Sequence, residues 1–221
     1  MSQTAILPFP LLPSLTGSGA ETVTSDVPAM ATLPDQALLE RVAGGDTDAF
    51  TVLYRRFERP VFAMLLRLAG GRRALAEDWL QEAFTRVWLG AATHDPLRGE
   101  VRPWVYKIAL NTARSEMARK RHRTPHVSID GAGLDVSDES AGEKRVVARV
   151  DDERRTDAFA LALERLPDFM REVVVLRCSR ELTFAEIAEV TGAPEGTLKS
   201  RFHRAVSALR EALGPDRGSA R

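Results

Sequence analysis

Residues 183–206 read TFAEIAEVTGAPEGTLKSRFHRAV, and no other segment of the chain limits the fold so narrowly. Thr183 followed three residues later by Glu186 has the form of a capping box, which opens a helix. Ala185, Ile187, Ala188 and Val190 supply the buried side of that short helix. Gly192 permits a tight turn, and Pro194 opens a second helix. In the second helix Leu198, Phe202, Ala205, Leu209 and Leu213 recur at about 100° per residue and form one apolar face. Ser200, His203, Arg204 and Ser207 fall opposite, with Lys199 on the flank. Two helices in this order, joined by a tight turn, make a helix-turn-helix, whose second helix enters the major groove by its N-terminal part. Thr197, Lys199, Ser200, Arg201, His203 and Arg204 are therefore candidate contacts to phosphates and base edges. A basic run that merely solvates a surface helix is the plainer alternative. The capped first helix and the turn at the right distance favour DNA.

A cationic helix stands out because the whole chain has a formal net charge of +0 over 221 residues. Such a chain has no long-range pull toward nucleic acid, so any binding comes from local clusters. The composition is 44% hydrophobic but only 6% aromatic, with Ala and Leu prominent and few β-branched runs, which suits helices and not sheets. An all-α fold is expected. Cys178 is the single cysteine, so no internal disulfide forms and a reducing compartment fits. No stretch reaches eighteen uninterrupted apolar residues, so no membrane-spanning segment is expected.

The organisation is that of two small helical domains joined by a flexible linker. Residues 1–33 read as a disordered leader: ILPFPLLPSL is interrupted by Pro8, Pro10 and Pro13 and lacks the basic start of a signal peptide. Met30 offers an alternative beginning, since MATLPDQALLERV runs directly into the first helical pattern. Residues 34–123 form the first domain. LLERVA is followed by the breaker GGD, and Phe50, Leu53, Tyr54 and Phe57 then recur at spacings of three and four. Pro60 and the Gly70–Gly71 pair punctuate the next segment, VFAMLLRLA, and Pro103 occupies a first helical turn. Residues 124–152, rich in Asp, Ser and Gly, read as the linker. Residues 153–214 form the helix-turn-helix domain, and 215–221 a disordered tail.

Two helices of the first domain carry polar faces of different chemistry. In ALAEDWLQEAFTRVW, residues Trp79, Leu80, Ala83, Phe84, Val87 and Trp88 occupy one half, and Asp78, Gln81, Glu82 and Thr85 the other. A solvated face would explain the second set, and so would docking on a partner helix bearing arginines. In WVYKIALNTARSEMARKRHR, residues Lys107, Asn111, Arg114 and Ser115 project together, while Val105, Ile108, Ala109 and Thr112 turn toward the bundle. Cations there hold a nucleic-acid backbone and an amide reads a base. Trp104 begins the same helix, either as a core residue or as a stacking platform. Arg119, Lys120, Arg121 and Arg123 suit phosphate contacts without specificity.

AEDWLQEAF and WVYKIALNTAR, then a linker, then LPDFMREVVVLR and LTFAEIAEVTGAPEGTLKSR, resemble an extracytoplasmic-function sigma factor of the sigma-70 family. The resemblance runs from about Pro34 to Leu213. It implies that the first domain is sigma region 2, binding core RNA polymerase and the −10 element, and the second region 4, binding the −35 element. Asp78, Gln81 and Glu82 match the family's pattern for docking on the β′ clamp helices, and the β subunit is a further expected partner. The family precedent for the Asn111 helix is capture of an unpaired −10 base, whose Watson–Crick edge is open to an amide once flipped. It implies promoter DNA and an anti-sigma factor as partners, a cytoplasmic location, and a linker threaded through polymerase near its active centre. Promoter elements two helical turns apart lie ~70 Å apart along DNA. A flexible chain of roughly thirty residues averages ~30 Å end to end and reaches ~100 Å when extended. The linker can span that distance if polymerase holds it extended.

A self-sufficient helix-turn-helix regulator, with an N-terminal bundle that dimerises or senses a ligand, is the competing expectation. It would bind its duplex site without polymerase. No nucleophile–base motif or phosphate-cradling glycine loop is legible, so no enzymatic activity, cofactor or small-molecule substrate is expected. His94, His122, His126 and His203 have no ligand spacing with Cys178, and no metal site is expected. Cys178, within VVVLRCS, reads as a buried structural thiol, with a redox sensor as the lesser alternative.

Overall fold

The computed structural model of the protein describes residues 30–97, 99–123, 158–178 and 182–213, and every regular element among them is helical. The expected leader before Met30, the whole of the expected linker 124–152, and the tail lie outside the described residues. In the first part α1 spans Asp35–Ala43, α2 Thr47–Leu68, α3 Arg73–Gly90 and α4 Val101–Arg123, with a 3₁₀ turn at Ala91–Thr93. The second part opens with a helical segment, α5, over 158–164. There follow α6 (Asp168–Cys178), α7 (Phe184–Thr191) and α8 (Glu195–Leu213).

Local chemistry accounts for most boundaries. Gly45 adopts φ 88° between α1 and α2, a region that costs glycine little. Asp46 then caps α2, its carboxylate accepting the N–H groups of Asp48 at 3.0 Å and Ala49 at 2.9 Å. Gly70 and Gly71, at φ 65° and 77°, end α2. Pro60 does not interrupt it, contrary to its expected role as punctuation. Proline inside a helix removes one hydrogen bond and costs ~3 kcal/mol. Burial of Phe57, Val61, Met64 and Leu65 on either side of it offsets that cost.

The core of the first part joins Leu38, Leu39 and Val42 of α1 to the apolar faces of α2, α3 and α4. Phe84 is fully buried, with Tyr54 edge-on to it at 4.7 Å, while Phe50 meets Trp88 at 5.2 Å. Met30 is also buried, at 2% exposure, and the carbonyls of Ala31 and Leu33 accept from Arg56, each at 3.0 Å. Folded structure thus includes 30–33, which the sequence assigned to the leader.

In the second part Leu163, Leu166, Val173 to Leu176, Leu182, Ile187, Val190, Leu198, Ala205 and Leu209 form the core. Arg171 fastens the α5–α6 corner by donating to the carbonyls of Leu163, Glu164 and Leu166, each at 3.0 Å. The expected capping box of α7 is present, and its C-cap Gly192 is left-handed at φ 75°. Of the residues expected on its buried side, Ile187 and Val190 are buried, Ala188 partly so, and Ala185 is exposed. An eight-residue helix held between α6 and α8 has a narrow buried stripe, and Ala185 lies off it. The two parts touch, with α7 packed across α4 and α6 reaching α2.

Candidate nucleic-acid interface

The second helix of the helix-turn-helix, α8, divides largely as its period requires. Leu198, Ala205 and Leu209 are buried and Phe202 partly so, edge-on to Phe184 at 5.7 Å. Leu213, expected on the same face, is exposed at the helix end, where no further turn covers it. Thr197, Lys199, Ser200, His203 and Arg204 are all exposed. Lys199 pairs with Glu195 one turn back at 2.5 Å, and the Ser200 hydroxyl donates to the Gly196 carbonyl. Arg201 is the exception. It is half-buried, with its guanidinium 5.1 Å from the centre of the Phe169 ring, away from the free face.

On α4, Lys107 and Asn111 are exposed, Arg114 and Ser115 half-buried, and Val105, Ala109 and Thr112 buried. The expected division of the helix is therefore present. Thr112 is fully buried because its hydroxyl donates to the Ile108 carbonyl of its own helix. Arg119 is exposed beside Glu116, 2.5 Å away, while the Lys120 and Arg121 side chains lie outside the described residues. Trp104 is half-buried, not wholly in the core, with the His94 ring edge-on at 5.3 Å. These two rings line a concavity of about 240 Å³ with Thr93, Asp95, Gly99, Glu100, Pro103, Lys107 and Glu189. His94 Nδ1 is buried there without a hydrogen-bond partner. Sequence period could not find this concavity, because half of its wall is a loop.

Arg114 makes the best-formed ion pair between the two parts. Its Nε donates to Glu172 Oε1 at 2.8 Å and its Nη2 to Glu172 Oε2 at 2.6 Å. That hydrogen bonding raises the guanidinium pKa further, against the opposing effect of burial. Arg102, at the start of α4, approaches Glu186 of α7 at 3.7 Å.

On α3, Trp79, Leu80, Ala83, Phe84 and Val87 are buried and Trp88 partly so. Asp78 and Glu82 are exposed, and Gln81 and Thr85 half-buried. Glu82 pairs with Arg86 at 2.8 Å, and the Thr85 hydroxyl donates to the Gln81 carbonyl. Beside this face α2 and α3 enclose a cleft of about 420 Å³, lined in part by Tyr54, Glu58, Phe62, Asp78 and Gln81. The sequence reading placed Tyr54 only in the apolar period of its helix and did not single out Glu58, because their place in the cleft follows from packing between helices. Burial pushes the Tyr54 phenol up to about 12, with Glu58 adding its charge and a hydrogen bond. Cys178, expected to be buried, is exposed at the last residue of α6. Partial burial still raises its thiol pKa, against the lowering influence of Arg67 and Arg177.

Comparison with known proteins accords with this arrangement. Residues 53–123 match the family Sigma-70 region 2, and residues 162–211 match Sigma-70, region 4. The chain is 30% identical over 190 residues to the ECF RNA polymerase sigma-E factor of Escherichia coli (strain K12), covering 83% of this chain and 96% of that protein. It is 28% identical over 186 residues to the RNA polymerase sigma-H factor of Pseudomonas aeruginosa, with 82% and 94% covered. The fold resembles that of CnrH in complex with the cytosolic domain of CnrY, with a TM-score of 0.58, 24% identity, and 81% and 96% of the two chains covered. It also resembles the sigma factor RpoE in complex with the anti-sigma factor NepR from Bartonella quintana, with a TM-score of 0.56, 22% identity, and 71% and 91% covered. With both sigma-70 regions present in order, and a relative matched over nearly its whole length, the chain belongs to the extracytoplasmic-function sigma factors of the sigma-70 family.

Proposed function

We propose that the protein is a dissociable specificity subunit that carries core RNA polymerase to promoters, with three surfaces dividing the work. The observation that carries this reading is the adjacency of two unlike polar faces on α3 and α4, in one chain with a helix-turn-helix. Asp78, Gln81, Glu82 and Thr85 form the face that docks on the β′ clamp helices. Its carboxylates and amide suit a partner helix rich in arginine. Because the Thr85 hydroxyl is engaged by its own helix, Asp78, Glu82 and Gln81 carry most of that recognition.

Lys107, Asn111, Arg114 and Ser115 read the −10 element, with Arg119, Lys120 and Arg121 on phosphate. Trp104 and the concavity beside it receive a base that has left the stack, and Asn111 presents an amide to base edges. Thr197, Lys199, Ser200, His203 and Arg204 meet the −35 element as intact duplex, while Arg201 braces α8 against Phe169. In this reading the protein works in the cytoplasm, without catalytic activity or cofactor of its own. The β subunit is a second polymerase contact, and an anti-sigma factor restrains the free chain.

Reconstitution tests the assignment. Core polymerase with the chain should initiate transcription at discrete sites on native genomic DNA, mapped by transcript 5′ ends. Asp78→Ala combined with Glu82→Ala should abolish co-purification with core while the isolated 153–214 segment still binds DNA. A chain that binds its duplex site tightly alone and never associates with core would establish the stand-alone regulator instead.

A further inference from the structure

The segment Ile6–Leu15, ILPFPLLPSL, carries a period that the helical part of the chain does not use. Proline fixes its own φ near −65° and drives the residue before it out of the α region. With prolines at 8, 10 and 13, the stretch from Leu7 to Pro13 is biased almost throughout toward polyproline II, which has three residues per turn. Ile6, Phe9, Leu12 and Leu15 recur at that spacing and make one apolar ridge. Six large apolar side chains in ten residues, with no charge among them, exceed what a solvated segment carries, so the ridge calls for cover.

The α2–α3 cleft of about 420 Å³ has the chemistry to supply it. Tyr54, Phe62 and Leu80, all buried or half-buried, give it apolar wall. Arg59, Arg73 and Gln81 bring side-chain donors for the carbonyls that polyproline II leaves unbonded. Three carboxylates line it as well: Glu77 pairs with Arg73 at 2.8 Å, Glu58 is hydrogen-bonded with Tyr54, and Asp78 is exposed. An uncharged occupant is indifferent to that mixture. Lengths match too. Eight residues of α-helix set Tyr54 and Phe62 ~12 Å apart along α2, and Phe9 and Leu12 stand ~9 Å apart in polyproline II. The leader meets the fold on the same helix, since Arg56 of α2 holds the carbonyls of Ala31 and Leu33. The fifteen residues from Leu15 to Met30 reach ~50 Å when extended, ample to bring the ridge to the cleft.

We propose that Ile6–Leu15 docks in the α2–α3 cleft of its own chain as a polyproline II ridge, with Phe9 and Leu12 against Tyr54 and Phe62. Aromatic-lined grooves take such segments because a preformed extended chain loses little entropy on binding. The consequence rests on the function proposed above: the cleft shares Asp78 and Gln81 with the face that meets core, so the docked segment shields that face. The carboxylates that it leaves unused suit the arginines of the partner helix, and core displaces it.

Photocrosslinking of the full chain at low micromolar concentration tests this. Benzoylphenylalanine incorporated at position 9 in place of Phe9 should crosslink within the same chain to the α2 and α3 residues of the cleft, located by mass spectrometry of tryptic peptides. Added core polymerase should suppress that crosslink. Phe9→Ser combined with Leu12→Ser, which leaves every described residue unchanged, should bind core about tenfold more tightly than wild type, as follows if the cleft is closed roughly nine-tenths of the time. Crosslinks to α4, to the C-terminal part or to a second copy, or none at all, overturn the proposal, and so does an unchanged affinity for core. If neither protein binds core, the function reading fails, while the crosslink still decides whether the segment occupies the cleft.

Discussion

Thr183 and Glu186 cap one another across the first turn of α7. The Thr183 hydroxyl accepts the Glu186 N–H at 3.2 Å, and the Glu186 carboxylate accepts the Thr183 N–H at 2.6 Å. The box sets where α7 begins, and so the angle at which α8 leaves the turn at Gly192. Thr183→Ala should lower stability by about 1 kcal/mol, read as an earlier urea midpoint of the helical signal. An unchanged midpoint would mean that packing of Ile187 and Val190 alone holds this helix.

Asp46 gives the N-terminal part an acid-sensitive joint. Burial by itself would raise its pKa, but the Ala49 N–H, the Arg41 guanidinium and the Asp48 N–H together hold it below the ordinary value of 3.8. With the folded value depressed, the stabilisation is present above the unfolded pKa and is lost as pH falls through the folded one. Asp46→Asn keeps an acceptor for the cap but removes the titrating charge. Its stability, followed by denaturant midpoints from about pH 6 to about pH 2, should fall less steeply than that of wild type.

The elements that were legible in the sequence are those governed by neighbours along the chain. The Thr183–Glu186 spacing, the glycine at 192 and the recurrence of Leu198, Ala205 and Leu209 are local rules, and all three appear in the folded chain. What was missed depends on partners far away in sequence. Arg114 meets Glu172, 58 residues on, and no period links them. Arg201 lies on a basic face by its spacing, yet Phe169 from α6 draws it aside. Pro60 reads as a break until Val61 and Met64 are seen buried beside it. Met30 enters the core only in the folded chain, where Arg56 of α2 ties down the carbonyls of Ala31 and Leu33 just after it.

The two DNA-reading surfaces should differ in the state of DNA each requires. Lys199→Ala and Arg204→Ala should weaken binding to closed and artificially opened promoters alike, since both residues face duplex. Each lost phosphate contact should reduce the log–log slope of affinity against salt by about 0.9. Titration of holoenzyme binding across salt concentrations checks this, and an unaltered slope for both variants would take them off the phosphates.

Asn111 should behave otherwise. If it reads an unpaired base, Asn111→Ala retains its defect on a template already mismatched across the −10 element, with ~1–3 kcal/mol lost. Substituting that base should cost wild type heavily and the variant little. Full rescue by pre-opened DNA, measured as open-complex lifetime, would assign Asn111 to melting and not to reading.

Complementary halves on one chain carry a liability. The carboxylates of α6 and α7 fit the α4 of any copy, not only their own. Tethering presents a chain's own partner at an effective concentration on the order of millimolar. Below that, each chain closes on itself. Near it, in a concentrated stock or an overexpressing cell, two chains can exchange halves and form a reciprocal dimer with every ion pair intact.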